Sequence, residues 1–527
     1  MKLEPTFEAF QPTYDAGAPQ LVWTRLIDDL ETPVSAYLKI GHGRPYAFLF
    51  ESVEGGAWRG RYSIITLNPD LVWRCRGDQA EVAEGAEAIA AGQFEPQAGG
   101  ALESLKDLVA ASRIELPAGL PPPSAGVYGA IGYDMIRLVE RLPDVNPDAL
   151  GLPDGVMTRP SIVAIFDAIA QEIILVTAVR PGKGDGDGDG DGQGEGSAQG
   201  AYAAARGRIE TVLADLRRPT PQLKGDGQPD ADGFTTPVSR DAYRQIVERA
   251  KDYIRAGDIF QVVPSHRFRA PFQRDPFALY RSLRRMNPSP FLFYLDFGDF
   301  QLVGSSPEIL VRLRDGKITI RPIAGTRPRG ATPEEDQALE TELLADPKER
   351  AEHLMLLDLG RNDVGRVAML KDSGANAPSA AKPGRPRPPR VRVTDSFFIE
   401  RYSHVMHLVS NVEGDAPHGL DPVDVVMAAL PAGTLSGAPK VRAMEIIDEL
   451  EIEKRGIGYA GGVGYFGADG SVDTCIVLRT ALVKDGVMYV QAGGGVVADS
   501  DPDAEYDETL HKSRALRRAA EESWRFV

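Results

Sequence analysis

The sequence contains little cysteine, and this scarcity excludes two classes of protein. Only two of its 527 residues are cysteines, Cys75 and Cys475. Two cysteines so far apart form neither a disulfide framework nor the spacing of a metal site. Both lie in strand-like stretches, where a buried, inert thiol is the expected state. A reducing compartment, the cytoplasm, fits this composition.

Positive charge and long apolar runs are also scarce. Lysine and arginine number 59 against 76 aspartates and glutamates, which gives a net charge of −17. This balance argues against a nucleic-acid partner, because binding a polyanion requires a basic face. No apolar run approaches the ~18 residues of a membrane span, and the acidic start lacks the apolar core of a signal peptide. We therefore expect no nucleic acid, no membrane and no export.

Three segments have compositions that cannot pack into a core, and they divide the chain. Residues 182–200 contain no apolar residue larger than alanine and are predicted to form a disordered surface loop. Residues 217–237 have the composition of a linker, and residues 371–390 form a proline-rich, basic insertion. We therefore expect an N-terminal region over 1–236 and a second domain over 238–527.

The apolar pattern predicts strands with some helix in the first region and a mixture of both in the second. Helical patterns cover residues 239–258, 346–360 and 503–523. Hairpin-like pairs of strands are common, as in 291–306, and no βαβ alternation repeats along the chain. This arrangement favours an α+β fold over a doubly wound parallel sheet.

Residues 431–440, PAGTLSGAPK, place glycines and two hydroxyls before a helical stretch, with Lys440 at its start. A phosphate loop reads G-x-x-x-x-G-K-[ST], but here Gly437 is followed by Ala438 and Pro439, so the spacing excludes that motif. Free N–H groups at the start of a helix also suit a carboxylate. We therefore expect this loop to hold an organic anion.

Two helical stretches each begin with Asp-Pro and then present a pair of glutamates three residues apart. These pairs are Glu349 with Glu352, and Glu505 with Glu508, the latter followed by Lys512 one turn later. The simplest explanation is that acidic residues favour helix N-termini and that Glu508 and Lys512 form a surface ion pair. The alternative is that the two pairs together bind a divalent cation, with one or two carboxylates in direct contact. The neighbouring LDLGRND and QAGGGVVADSDP motifs favour this alternative.

Six stretches of the second region resemble, in the same order, the motifs of the chorismate-utilising enzymes, and among these the anthranilate synthase component I group. The resemblance spans most of 240–515 and weakens in the first region, apart from FLFESVEGG. It implies two packed antiparallel or mixed sheets flanked by helices, with a regulatory N-terminal region. The six stretches are 322–330, 351–368, 401–410, 431–451, 458–483 and 491–512.

The resemblance also implies the roles of individual residues. Chorismate carries two carboxylates, which a guanidinium and free N–H groups match in charge and geometry. Glu352 and Glu508 correspond to the family's Mg²⁺ ligands, with Glu349 and Glu505 in support. The positions implied to bind substrate are Gly325, Thr326, Thr434, Tyr459, Arg479, Gly493, Gly494, Gly495 and Lys512.

Two positions match the family's acid–base residues. Glu308 in SSPEIL corresponds to the general acid that protonates the departing C4 hydroxyl. His407 in SHVMH corresponds to the histidine that assists loss of the enolpyruvyl side chain. His404 lies three residues earlier, and in a strand these two positions face opposite sides. The alignment selects His407, which leaves His404 as structural.

Two positions at which this chain differs from related enzymes reduce the number of reactions that we expect it to catalyse. Aminodeoxychorismate synthases typically read PIKGT where this chain has Ala324, which argues against that alternative. Isochorismate and salicylate synthases carry a lysine, a base for a water nucleophile, where this chain has Gln261. A glutamine cannot take that proton, whereas ammonia needs no such activation. Gln261 therefore indicates amination, although a buried amide without a catalytic role is the alternative.

The source of ammonia must lie outside this chain. A glutaminase needs a nucleophilic cysteine, usually in a G-x-C-x-G elbow, and neither cysteine has that setting. We expect free ammonia, or a separate glutamine amidotransferase subunit, the family's component II, as the supplier. The implied reaction is Mg²⁺-dependent amination of chorismate with release of pyruvate to give anthranilate, the first step of tryptophan biosynthesis. A non-catalytic subunit that keeps the fold is a rival, but the complete set of implied catalytic residues opposes it.

Two stretches outside the catalytic motifs resemble the family's tryptophan pocket. They imply feedback inhibition by L-tryptophan at a separate site, coupled allosterically to the chemistry. Taken alone, the N-P-S-P sequence is also an ordinary turn that enters a strand. The matching positions are Ser52, Pro290, Phe291 and Leu292, with Glu51 and Asn287 nearby.

Overall fold

The computed structural model describes residues 1–51, 60–182, 197–223, 233–369, 391–401 and 405–527. Helices and strands alternate irregularly within these ranges, which confirms the α+β fold class. The helices are α1 Phe7–Asp15, α2 Pro33–Ile40, α3 Ala86–Ala91, α4 Ala101–Ala111, α5 Ala198–Leu216, α6 Arg240–Ala256, α7 Pro276–Met286, α8 Pro333–Ala345, α9 Pro347–Ala368, α10 Pro422–Ala429, α11 Lys440–Leu450 and α12 Pro502–Glu522.

Most strands belong to two antiparallel sheets, and β9 pairs with β18 in a separate short ladder. The strands are β1 Gln20–Ile27, β2 Phe48–Glu51, β3 Tyr62–Arg76, β4 Gln79–Glu84, β5 Glu95–Pro96, β6 Gly126–Ile131, β7 Gly155–Asp167, β8 Glu172–Val179, β9 Gln261–Val262, β10 Ser265–Pro271, β11 Phe291–Asp296, β12 Phe300–Ser306, β13 Ile309–Arg314, β14 Lys317–Ile320, β15 Ile323–Pro328, β16 Val391–Arg401, β17 Val405–Asp415, β18 Gly437–Ala438, β19 Gly462–Gly467, β20 Val472–Ile476, β21 Thr480–Lys484 and β22 Val487–Gly493.

The two long strands β3 and β7 belong to both sheets. Pro69 faces Pro160 in their ladder, and the register shifts between Pro69 and Leu71. Proline has no N–H to donate, so it interrupts the ladder and is found at bulges. One half of each strand therefore continues into the first sheet, and the other half into the second.

The first sheet has the strand order β10-β22-β21-β12-β11-β2-β3-β7-β8-β1. The second runs β5-β4-β3-β7-β6-β19-β20-β13-β14-β17, and β17 also binds β15 beside β14 and β16 on its other edge. Both sheets contain strands from before and after residue 238. The boundary predicted at 237 remains a prediction.

The sheets pack face to face, with helices on their outer faces. Side chains of both sheets, such as Ile64 and Val463, form the core between them. Helices α2, α5, α7 and α12 cover the first sheet, and α4, α9 and α10 cover the second. This arrangement confirms the expectation of two packed sheets flanked by helices. Within the described ranges, no helix is both long and apolar enough to cross a membrane.

Local sequence explains where the site helices begin. Asp346 caps α9 by accepting from the N–H groups of Lys348 and Glu349, with Pro347 at the first helical position. Asp501 caps α12 in the same way, followed by Pro502. Aspartate accepts hydrogen bonds at the N-cap, and proline fits the first turn because its missing N–H is not needed there. Both helix starts agree with the prediction.

Some predicted bounds differ from the structure or fall outside it. Ser197 caps α5 and residues 198–200 are helical, so the segment predicted as disordered over 182–200 extends too far. The rest of that segment from residue 183, and all of 371–390, lie outside the described residues. Of the predicted linker 217–237, residues 217–223 and 233–237 are described.

Candidate active site

A cavity of about 1110 Å³ lies between α9, α12, the GTLSG loop (residues 433–437) and the ends of β15, β17 and β22. It gathers every residue predicted to bind substrate, bind metal or catalyse, except Gly494. Distant segments of the chain therefore meet at one place, although their roles remain predictions. The predicted residues that line it are Gln261, Glu308, Gly325, Thr326, Glu349, Glu352, His407, Thr434, Tyr459, Arg479, Gly493, Gly495, Glu505, Glu508 and Lys512.

Glu308 lies in the cavity wall and is half-buried. Burial raises the pKa of Glu308 from 4.5 to about 8, although a hydrogen bond from Thr434 and the charges of Arg479 and Lys512 oppose this rise. The Thr434 hydroxyl lies 3.2 Å from Oε1 and 3.4 Å from Oε2 of Glu308. A carboxyl with this pKa is mostly protonated at neutral pH and can donate a proton.

His407 lies opposite a left-handed turn of β15. Its Nδ1 is 3.1 Å from the Gly325 carbonyl oxygen and 3.1 Å from the Thr326 hydroxyl. A carbonyl only accepts, so Nδ1 carries the proton and Nε2 of the neutral ring is an acceptor. Burial lowers the pKa of His407, and the ring is therefore neutral at pH 7. Gly325 has φ +62° at a bulge in β15, a conformation that glycine adopts readily.

The acidic pairs of α9 and α12 face one another across the cavity. Burial raises the pKa of Glu352, and the charges of Glu349 and Glu508 raise it further. Burial also raises the pKa of Glu505, whose Oε1 accepts a 2.7 Å hydrogen bond from Ser500. Because carboxylates on two helices perturb each other, they form one acidic wall that would attract a cation.

The acidic wall fits a magnesium ion that keeps most of its shell outside the protein. Among the described residues, no three His, Cys, Asp or Glu side chains stand close enough to hold a metal by themselves. Mg²⁺ takes one or two protein carboxylates directly and completes its shell with water and substrate oxygens. Oε2 of Glu505 is buried and has no hydrogen-bond partner, as expected for an oxygen that binds a cation or a water molecule of its shell.

Two of the four predicted metal residues have cationic partners in the structure. Arg327 donates a 3.1 Å hydrogen bond to Glu349, and so Glu349 supports the start of α9. Lys512 lies 2.8 Å from Oε1 of Glu508 and also donates to the Gly493 carbonyl at 2.9 Å. The surface i,i+4 pair predicted as the simple alternative is therefore present, although its two members line the cavity.

The Gly493–Gly495 segment can approach its neighbours only because it has no side chains. A Cβ on Gly493 would lie 2.5 Å from the Pro264 carbonyl oxygen. On Gly494 it would lie 2.5 Å from Oε2 of Glu505, and on Gly495 2.5 Å from Nε2 of Gln261. A side chain at Gly493 would clash with backbone, and one at Gly494 or Gly495 would displace a cavity side chain, which explains three successive glycines.

Polar atoms without partners also mark this cavity. Oε1 of Gln261 and the Tyr459 hydroxyl are buried and form no hydrogen bond in the structure. Buried polar groups are nearly always paired, and an unpaired one requires an explanation such as a missing ligand. Together with Oε2 of Glu505, they provide acceptors and a donor for a polar ligand.

The GTLSG loop differs from the expectation in one respect. Thr434 lines the cavity, but Lys440 points away from it and lies 2.6 Å from the buried carboxylate of Asp363. Lys440 therefore holds α11 against α9 and is not available for an anion. The physical reason is that a lysine in the first turn of a helix extends toward whichever acidic partner the tertiary structure supplies.

Of the residues predicted to bind tryptophan, those that the structure describes lie near the junction of β2 and β11. Glu51 pairs with Leu292 in the ladder and accepts hydrogen bonds of 2.8 and 3.1 Å from Arg284. Asn287 caps the end of α7 and donates to Ser305 at 3.1 Å. Pro290 is buried and Phe291 half-buried. Ser52 and His404 lie outside the described residues.

Two supporting arginines, Arg327 and Arg455, were not predicted. Arg327 joins Glu349 to Asp346 and Glu342, and Arg455 joins Glu451 to two loop carbonyls. Only the four-residue spacing of Glu451 and Arg455 could have indicated an ion pair from the sequence. The carbonyl partners are distant in sequence and give no such signal.

The sequence aligns with those of known proteins over almost its whole length. The chain is 55% identical over 523 residues to anthranilate synthase component 1 of Cereibacter sphaeroides, covering 99% of this chain and 98% of that protein. It is 45% identical over 498 residues to the Pseudomonas putida protein of the same name, covering 93% of each.

Solved structures agree with the sequence relatives. Anthranilate synthase component I of Streptococcus pneumoniae superposes with a TM-score of 0.71 at 33% identity, covering 94% of this chain and 99% of that one. The menaquinone-specific isochorismate synthase of Escherichia coli has a TM-score of 0.64 at 19% identity, covering 96% and 95%, and shares the fold.

The family model described as chorismate binding enzyme matches residues 67–376 and 386–518. The match includes every predicted residue that lines the cavity, so the cavity is built from the part of the chain that defines the family. The chain therefore belongs to the chorismate-binding enzyme family, together with the anthranilate synthase component 1 proteins that it resembles over its full length.

Proposed function

We propose that this chain is the large subunit of an anthranilate synthase and converts chorismate and ammonia to anthranilate, pyruvate and water. The observation that carries the proposal is the pairing, in one cavity, of a protonated carboxyl with a neutral imidazole. Glu308 can donate a proton at neutral pH and His407 can accept one. The reaction needs both, first to expel a hydroxyl and then to eliminate pyruvate.

The polar groups of the cavity suit a dicarboxylate. Arg479 and Lys512 supply positive charge, and their charges both act on Glu308, so they lie near the proposed acid. The Tyr459 hydroxyl and the Gly493–Gly495 backbone supply neutral donors. Mg²⁺ bound by Glu352 and Glu508 would neutralise a substrate carboxylate beside the acidic wall.

The first step is amination. Ammonia attacks C2 of chorismate, the ring double bonds shift, and the C4 hydroxyl leaves as water when Glu308 donates its proton. The product of this step is 2-amino-2-deoxyisochorismate. In the second step the C2 proton is removed, His407 assists, and the enolpyruvyl group leaves as pyruvate. Aromatisation of the ring drives this elimination.

Gln261 supports ammonia as the nucleophile. Its amide is 5% exposed, lies in the cavity wall and has a carbonyl oxygen without a partner. An amide oxygen accepts a hydrogen bond from ammonia but cannot deprotonate water. We therefore propose that Gln261 orients the incoming ammonia.

Ammonia is proposed to come from a separate glutamine amidotransferase subunit or from solution. Both cysteines are buried, and burial raises the pKa of each thiol well above its usual value. Neither can act as a thiolate nucleophile. The relatives are named component 1, which supports the existence of a second component. The cytoplasm remains the proposed location.

L-Tryptophan is proposed as a feedback inhibitor that binds near β2 and β11. Glu51 and Leu292 lie side by side there, in a ladder that joins the N-terminal region to the catalytic half. A ligand at this junction could therefore change the packing of the two halves.

The test is to incubate the purified chain with chorismate, Mg²⁺ and ammonium, and to follow anthranilate fluorescence and pyruvate together. We expect both products in equal amounts, none without Mg²⁺, and little from Glu308→Gln. Isochorismate or salicylate would refute amination. An aminated product without pyruvate would indicate aminodeoxychorismate synthase instead. Metal-dependent chorismate binding by calorimetry, without turnover, would indicate a non-catalytic subunit.

A further inference from the structure

A buried ion pair outside the cavity holds several of its walls. Glu451 directly follows α11, and Arg455 lies four residues later, with side chains only 3% and 1% exposed. Nη2 of Arg455 is 2.6 Å from Oε1 of Glu451. Neither residue lines the cavity, so neither contacts substrate there.

The guanidinium group of Arg455 binds two backbone segments that do line it. Nη1 donates to the Leu435 carbonyl at 2.6 Å, and Nη2 donates to the Val263 carbonyl at 2.7 Å. Leu435 follows Thr434 in the GTLSG loop, and Val263 lies two residues after Gln261. Because the guanidinium is planar and rigid, one side chain fixes the distance between these two segments.

The carboxylate of Glu451 anchors a third segment. It accepts hydrogen bonds of 2.8 Å from both the N–H and the hydroxyl of Ser265. Ser265 pairs directly with Gly493 between β10 and β22. The Arg455 guanidinium also lies 5.3 Å from the centre of the Tyr459 ring.

We propose that the Arg455–Glu451 pair is the positioning element of the active site. It sets the relative places of Thr434, Gln261, Gly493 and Tyr459 through the backbone and through packing, without touching substrate. This inference rests on the proposed function, since it concerns how that site is held.

Stability and positioning can be separated by experiment. Removing one member of a buried ion pair strands a charge and destabilises the fold, whereas replacing both by uncharged groups is often neutral for stability. Misplacing catalytic groups by about 1 Å can still lower a rate about 100-fold. Replacing both residues by uncharged ones should therefore keep the fold stable but should not keep the catalytic groups in their relative positions.

The experiment compares three variants with the parental chain. Glu451→Gln/Arg455→Met removes both charges but leaves an acceptor for Ser265. Arg455→Lys keeps the charge but cannot reach both carbonyls. Asp70→Asn/Arg159→Met is the matched control, because Arg159 is 2% exposed, pairs with Asp70 at 2.6 Å and lies away from the cavity. Each is measured by thermal melting, by kcat and KM for chorismate, and by calorimetric chorismate binding.

We expect the Glu451→Gln/Arg455→Met chain to melt near the parental temperature with kcat/KM about 100-fold lower. KM should rise because Thr434 and Gly493 shift, and kcat should fall because Gln261 shifts. Arg455→Lys should fold normally and lose about tenfold or more in kcat/KM, and the control should keep parental kinetics.

Parental kcat/KM in the folded double variant or in Arg455→Lys would overturn the proposal. An equal loss in the control would also overturn it, since any buried arginine would then have the same effect. Failure of the proposed function is a different result, because the parental chain itself would then make no anthranilate.

Discussion

The protonation of Glu308 should control the rate at alkaline pH. Burial raises its pKa from 4.5 to about 8, a shift worth about 5 kcal/mol between its two protonation states. At pH 7 roughly 90% of the molecules would then carry a protonated Glu308, whereas an unperturbed carboxyl would be protonated in well under 1%. The general acid is therefore available only because burial raises the pKa of its carboxyl.

The assay is kcat/KM for chorismate from about pH 6 to about pH 10 with saturating Mg²⁺, because this ratio reports the pKa values of the enzyme without substrate. Ammonium releases more free ammonia as the pH rises, so free ammonia is held constant at each point. We expect a plateau near pH 7 and a fall approaching tenfold per unit above about pH 8. On the acid side the rate should fall only below the ordinary histidine pKa of 6.5, because burial lowers the pKa of His407.

The matched control is the residual activity of Glu308→Gln, which has no proton to donate. This residual activity should be low, and it should lack the alkaline limb, which is the fall in rate above about pH 8. A parental rate that stays constant beyond about pH 9.5 would refute the role of Glu308 as acid. The same conclusion would follow if the alkaline limb persisted in Glu308→Gln.

Three further predictions concern neighbouring residues. Thr434→Val removes the hydrogen bond that lowers the pKa of Glu308, so the alkaline limb of kcat/KM should move to higher pH, whereas Thr434→Ser should leave it in place. Gln261→Lys places a cation on the path of ammonia, so anthranilate formation should fall sharply, with a trace of isochorismate without ammonia; the parental rate would make Gln261 a structural amide. Ser52→Phe enlarges a position that the resemblance assigns to the inhibitor, so titration with L-tryptophan should show an active, insensitive enzyme; retained inhibition would place the effector site elsewhere.

Local features such as helix starts were predictable from the sequence, but the pairing of distant strands was not. Asp346 with Pro347 marks the start of α9 through contacts within three residues, so a sequence window contains the whole cause. The shared strands β3 and β7 depend on Pro69 meeting Pro160. That meeting is a tertiary event, and no local pattern contains it.

The same distinction holds for the candidate site. The resemblance selected residues that line the cavity. It did not select Arg455, whose partners Leu435 and Val263 offer only backbone carbonyls, which any residue type supplies. The prediction for Lys440 was wrong for a different reason. Its position beside a glycine-rich loop suggested that it binds an anionic ligand, but in the structure it pairs with the carboxylate of Asp363.

The raised pKa of Glu308 should also lower the stability of the fold, and its sign can be worked out. Between about pH 4.5 and about pH 8 the folded chain holds a proton that the unfolded chain has released, so stability falls as the pH rises through this window. The loss reaches about 3 kcal/mol at pH 7 and about 5 kcal/mol above pH 9. Glu308→Gln removes the titrating group.

In urea unfolding, Glu308→Gln should therefore match the parental chain near pH 4.5 and exceed its stability increasingly up to about pH 8. Asp167→Asn is the control of opposite sign. Burial alone would raise the pKa of Asp167, but Arg61 and backbone N–H groups lower it. That substitution should cost stability at neutral pH, and the cost should shrink as the pH falls through the aspartate range. If Glu308→Gln were no more stable than the parent at pH 8, the pKa of Glu308 would not be raised in the folded chain, and the alkaline limb would need another acid.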